Sequence, residues 1–162
     1  MNINTQWVGL FTLIRKEVTR IFRIWTQTLL PSVITTMLYF LIFGQFIGQR
    51  IGIFDGYNYI EFIIPGLIMM SMITNSYMNV SSSFFGSKFQ RNIEELLVSP
   101  LYDHFLIIGY LSGGVIRGLI VGLLVTIVSL LFSPIGFHRP FLVIASACLT
   151  AILFSLLGFI NG

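Results

Sequence analysis

The chain has 162 residues, of which 56% are hydrophobic and only 9% charged, with mean hydropathy +0.91 and a net charge of +3. A soluble domain carries about a quarter charged residues, disorder needs polar tracts, and nucleic-acid binding needs a concentrated basic face; none of these fits. The composition implies an all-α integral membrane protein, because long uncharged runs recur along the chain.

Residues 7–25 read as an amphipathic helix. At 100° per residue, Trp7, Phe11, Ile14, Val18, Ile21 and Trp25 share one side, and Lys16, Arg20 and Arg23 lie opposite. Such a helix suits the membrane interface beside anionic headgroups, or else covers a soluble core. A first span is predicted over 26–49: Ile24 to Gln49 carries no charge, and its 26 residues cover roughly 39 Å. Pro31 falls in its first turns. The loop Arg50–Glu61, with Gly52, Asp55, Gly56 and Asn58, reads as a short polar connection.

A second span is predicted over 62–87. Ser71, Asn75, Asn79, Ser82 and Ser83 recur there at spacings of three and four and form one polar stripe, which packs on other helices or lines a path. Residues 88–100 are too polar to cross a bilayer. Ile93, Leu96, Leu97 and Pro100 alternate with Glu94 and Glu95 at helical spacing, giving a short helix closed by Pro100. Two adjacent glutamates suit a protein partner better than an anionic lipid surface.

The third span is predicted over 105–133, with Asp103 as N-cap. Gly109/Gly113, Gly114/Gly118 and Gly118/Gly122 have the small-xxx-small spacing that lets helices approach closely. Arg117 stands roughly 21 Å into this helix. It either faces protein or water, or snorkels to the interface. A fourth span, over 141–162, carries no charge, and the chain stops there as an incomplete protein would. The single cysteine, Cys148, allows no disulfide within the chain.

Basic residues set the orientation. Arg15, Lys16, Arg20, Arg23, Lys88 and Arg91 on one side against Arg50 and Arg139 on the other predict a cytoplasmic N-terminus and a cytoplasmic 88–100 segment. No P-loop pattern occurs, and Lys16 and Lys88 are the only lysines. His104 and His138 are expected near opposite faces, so they share no metal. No catalytic constellation, cofactor site or metal site is read.

Ile-Pro-Gly at 64–66, Ser-Ser-Ser-Phe-Phe at 81–85 and Arg-Asn-Ile-Glu-Glu-Leu-Leu-Val-Ser-Pro at 91–100 together resemble the membrane subunits of ABC-2 type transporters. The resemblance covers essentially the whole chain, and 88–100 is its most specific part. It implies an exporter permease of about six spans, working as a dimer with two separate ATP-binding subunits in a bacterial inner membrane. It further implies an interfacial N-terminal helix and a coupling helix that docks on the ATPase through Asn92, Ile93, Glu94, Glu95, Leu96, Leu97 and Pro100. With four spans rather than six, the chain also reads as a truncated, non-transporting scaffold or regulatory subunit.

Overall fold

The computed structural model describes residues 3–48, 53–54, 57–99, 101–133 and 139–162. Helix α1 spans Ile3–Arg23, and α2 (Trp25–Thr28) and α3 (Leu30–Tyr39) follow it, the latter continuing as a π-helical stretch, Phe40–Ile47. Two-residue strands β1 (Ile53–Phe54) and β2 (Tyr57–Asn58) pair antiparallel. Then come α4 (Tyr59–Phe89), the short α5 (Asn92–Val98), α6 (Asp103–Leu130) and α7 (Pro140–Asn161). Among the described residues, four helical segments are long and apolar enough to cross a membrane: Trp25–Gly44, Tyr59–Phe89, Asp103–Leu130 and Pro140–Asn161. The chain is an all-α membrane protein.

The first of these segments is not the single smooth helix that its uncharged run suggests. Pro31 has no N–H to bond the Gln27 carbonyl, so the helix breaks at Leu29 and restarts with the proline near the N-terminus of α3. Beyond Tyr39 the turns widen, and at Gly44 the Ile60 side chain presses against the backbone, with its Cγ1 3.2 Å from where a Cβ would stand. The second segment begins at Tyr59, earlier than Phe62, and Lys88 and Phe89 extend it. Arg91, in a left-handed conformation at φ 60°, then turns the chain into α5. Asp103 is the first residue of α6 rather than its cap, where its charge faces the positive end of the helix dipole. The loop residues Arg50, Gly52, Asp55 and Gly56, as well as Pro100 and His138, lie outside the described residues.

Helices α4 and α6 form the centre, with α7 against α4 and α1 along the first half of α6. One apolar cluster joins Leu29, Phe40, Ile64, Val121 and Val125. A second joins Leu13, Val80, Leu106 and Tyr110. The glycines of α6 divide between two neighbours. Gly109 faces Leu13 and Gly113 faces Glu17, both on α1. Gly114, Gly118 and Gly122 face Val80, Ser76 and Met72 on α4, and Gly114 also meets Ser155 on α7. A Cβ at Gly118 would run into the Ser76 hydroxyl. A matching run on α7, Ala151, Ser155 and Gly158, is buried, with the Tyr77 carbonyl 2.5 Å from an ideal Cβ at Gly158.

Close packing of α6 on α4 therefore depends on the absence of a side chain at Gly118. Gly118→Leu should lower the yield of folded monodisperse protein in detergent severely. Leu123→Ala, at a residue 61% exposed on the outer side of α6, should leave it unchanged. Size-exclusion profiles of the two variants check this.

Candidate functional site

The charged residues inside the bundle gather at one place, where α1, α2, α4 and α6 meet. Glu17 is 1% exposed. Its Oε2 accepts from Arg20 Nη2 at 2.9 Å, and its Oε1 accepts from the Ser83 hydroxyl at 2.8 Å. Among the described residues this is the one ion pair. Arg20 Nη2 also donates to the Asn79 side-chain oxygen at 3.1 Å and to the Asn79 carbonyl at 3.3 Å.

Arg117 reaches the same amide from the other side. Its Nη1 donates to Asn79 Oδ1 at 3.4 Å, and its Nη2 donates to Asn75 Oδ1 at 3.1 Å and to the Thr28 carbonyl at 3.3 Å. Asn75 Oδ1 accepts in turn from Ser32 at 3.2 Å, while its Nδ2 donates to the Ser71 carbonyl at 2.9 Å. Thr36 and Ser71 hydroxyls share a bond of 3.1 Å. One hydrogen-bonded chain thus runs from Ser83 through both arginines to the first spanning segment. Of the two positions open to Arg117, the structure shows it facing protein, with its Nη groups bonded to Asn79, Asn75 and the Thr28 carbonyl rather than reaching the interface.

The helical wheel of α1 misassigned Arg20. The buried face is Gln6, Leu10, Leu13, Glu17 and Ile21, rotated by roughly 90° from the aromatic side. Trp7, Phe11 and Trp25 remain exposed at 58%, 68% and 52%, and Arg20 lies at the edge of the buried face rather than on the headgroup side. The contacts run in parallel register: Gln6 with Tyr102, Leu13 with Gly109, Glu17 with Gly113. Glu17 was not singled out from sequence. The signals were its position as the only acid in the first 54 residues and the 6–10–13–17–20 spacing. Along α4 the buried stripe is Asn75, Ser76, Asn79, Ser83 and Ser87, while Ser82 is exposed.

Helix α5 lies away from this cluster. Asn92, Glu94 and Glu95 are exposed, Ile93 is half-buried and Val98 is 86% exposed. The two glutamates stand in the helix's first turn, where the dipole favours them. Leu96 and Leu97 belong to the helix, but their side chains lie outside what is described, as does Pro100. Just past α5, Leu101 packs over Gly9, and the Tyr102 N–H donates to Gln6 Oε1 at 3.2 Å, so this segment meets α1 directly.

Residues 8–162 match the ABC-2 type transporter family. The chain belongs to that family. It is 59% identical over 156 residues to proteins described as inner membrane transport permease YadH in Escherichia coli K12, Escherichia coli O157:H7 and Shigella flexneri. The match covers 96% of this chain and 61% of each relative, so the chain spans about three-fifths of their length. No solved structure matches it significantly.

In this ABC-2 family chain, the Glu17 carboxylate neutralises a guanidinium that would otherwise face the bundle alone. Removing one member of a buried pair costs roughly 3–5 kcal/mol. Arg20 keeps 32% of its side chain exposed, so Glu17→Ala should cost somewhat less. Arg117→Lys should also destabilise, because one ammonium cannot span acceptors on Asn79, Asn75 and Thr28 together. Thermal unfolding in detergent checks both; unchanged midpoints would contradict the geometry.

Proposed function

We propose that this chain is the membrane-spanning part of an ATP-driven exporter permease that draws its energy from a separate ATP-binding subunit. The observation that carries this reading is α5. It is a seven-residue helix set off from the second spanning segment by the left-handed Arg91, with Glu94 and Glu95 exposed side by side. A surface of that kind outside the spans suits protein donors more than an anionic membrane. Family membership supports the same reading, and the chain itself carries no P-loop.

In this proposal α5 is the coupling helix. Asn92, Ile93, Glu94, Glu95, Leu96, Leu97 and Pro100 form the docking segment, and a second permease copy completes a homodimer. In this reading the 7–25 helix starts at the cytoplasmic interface beside Tyr102 and runs along α6 into the bundle, with Trp7 and Trp25 turned to lipid. The excess of lysine and arginine in the N-terminal and 88–100 segments supports a cytoplasmic N-terminus. The name of the relatives supports a bacterial inner membrane. Movement of the ATPase would reach the spans through two contacts beside α5, Leu101 with Gly9 and Tyr102 with Gln6.

Charge reversal at the glutamates tests the docking. Glu94→Lys combined with Glu95→Lys should weaken binding of the ATPase by about 2–5 kcal/mol, as the loss of one partner in a buried charged contact does. The permease should still insert, because α5 lies outside the spanning segments. Loss of co-purification with the ATPase, with membrane levels unchanged, is the expected result. Wild-type co-purification and ATPase stimulation would refute the assignment.

A further inference from the structure

We propose that the cleft between α3 and α4 binds the uncharged polyhydroxyl head of an amphiphile. Its use as a cargo site rests on the permease reading; the binding itself does not, and the test reads binding alone.

The cleft has a volume of about 250 Å³ and opens to the outside of the bundle. Its α4 wall, from Leu67 to Asn75, lies roughly 12 Å from Tyr59 and roughly 21 Å from Phe89, the two ends of that spanning segment. The cleft therefore stands at hydrocarbon depth.

Two stripes divide the surface of α3. Ser32, Thr35, Thr36 and Tyr39 follow one another at i, i+3, i+4 and i+7, and all four line the cleft. Ile34, Met37 and Leu38 repeat the spacing two residues on, and these exposed apolar side chains suit lipid. Across the cleft from the hydroxyl stripe stand Ser71, Thr74 and Asn75 of α4. Two pairs close on each other, Ser32 with Asn75 at 3.2 Å and Thr36 with Ser71 at 3.1 Å. The rest stay open. Thr74 donates its proton to the Met70 carbonyl, which leaves its oxygen as an acceptor. The Thr35 and Tyr39 hydroxyls bond no protein group among the described residues.

Hydrocarbon would leave these groups unmet, so a polar occupant fits where a lipid tail does not. No charged residue is among those lining the cleft. Arg117 lies behind Asn75, with its Nη2 held by Asn75 Oδ1 and the Thr28 carbonyl. A charged head would find no counter-ion here. An uncharged polyol matches the lining, because hydroxyls donate and accept alike. Pro31, Leu67 and Met70 form the apolar remainder of the lining, which suits the first carbons of a tail.

The test uses the purified Cys148→Ser chain in phosphatidylcholine nanodiscs, prepared in a detergent without sugar. Thr35→Cys and Thr74→Cys place thiols in the cleft, and Ile34→Cys places one on the lipid-facing stripe. Hydroxyethyl methanethiosulfonate reacts with the ionised thiol, so both cleft positions should react at least about tenfold faster than Ile34→Cys. Octyl glucoside should slow the reaction of Thr74→Cys saturably, by at least about tenfold. Octyl sulfate and octyltrimethylammonium, which share its tail, and free glucose should not. Thr35→Val combined with Tyr39→Phe removes both open hydroxyls and should weaken the protection at least about tenfold, with the thermal midpoint unchanged. Cleft thiols as slow as Ile34→Cys overturn the proposal. So does equal protection by either charged head or by glucose, or protection that survives the double variant. The ATPase is absent from this assay, so none of its outcomes bears on docking at α5.

Discussion

The Glu17 carboxylate is the constraint on which the arrangement of the bundle depends. It is sealed from solvent, yet it holds Arg20 on one side and the Ser83 hydroxyl on the other, and through Arg20 it shares Asn79 with Arg117. An ion in this setting persists only with partners in place, since desolvation costs several kcal/mol per charge. Its direct partners come from α1 and α4, and Arg117 extends the cluster to α6 and α2, so these helices are joined by polar bonds whose directions fix their rotation. Apolar contact alone would leave that rotation loosely defined, because lipid competes equally for leucine. The glycines of α6 complement this by admitting α1 on one side and α4 on the other.

The polar cluster also ties α1 to the segment beside α5, the helix proposed to couple to an ATPase. The segment after α5 touches α1 at Gly9 and Gln6, and α1 reaches Asn79 one face further on through Arg20. From Asn79 the bonds continue through Arg117 and Asn75 to Ser32 in the first spanning segment. A displacement at α5 thus has a continuous route of packed and hydrogen-bonded groups into the spans. The π-helical stretch Phe40–Ile47, with its wider turns, lies at the far end of the same segment.

Class and spans were legible because they rest on long-range averages: four uncharged runs are hard to produce any other way. The polar stripe of α4 and the glycine spacing of α6 were legible as well, since periodicity reports which residues share a face. The face of α1 was not. Its aromatic residues dominate the wheel and point outward in the structure, because in a membrane the apolar side meets lipid and the buried side carries the charges. Glu17 and Arg20 acquire their meaning only when Asn79 and Ser83, some sixty residues later, arrive beside them. Gly109 and Gly113 share the four-residue spacing of Gly114 and Gly118, yet they contact a different helix, which spacing alone does not distinguish. The ends of the short helix were blurred in sequence for a local reason. Lys88 and Phe89 are compatible with either helix, and the left-handed turn at Arg91 decides between them.

The central claim, that α1 runs along α6 with its charged edge in the bundle, can be measured by disulfide trapping. Leu13 Cβ stands 3.2 Å from where a Cβ would sit at Gly109, close to the roughly 3.5–4.5 Å of a disulfide. With Cys148→Ser removing the native thiol, Leu13→Cys paired with Gly109→Cys should cross-link in membranes under mild oxidant. Mass spectrometry of the linked peptides reads the product. Phe11→Cys paired with Gly109→Cys should stay reduced, because Phe11 points outward at 68% exposure. Absence of the 13–109 bond, or equal trapping by both pairs, would contradict the account.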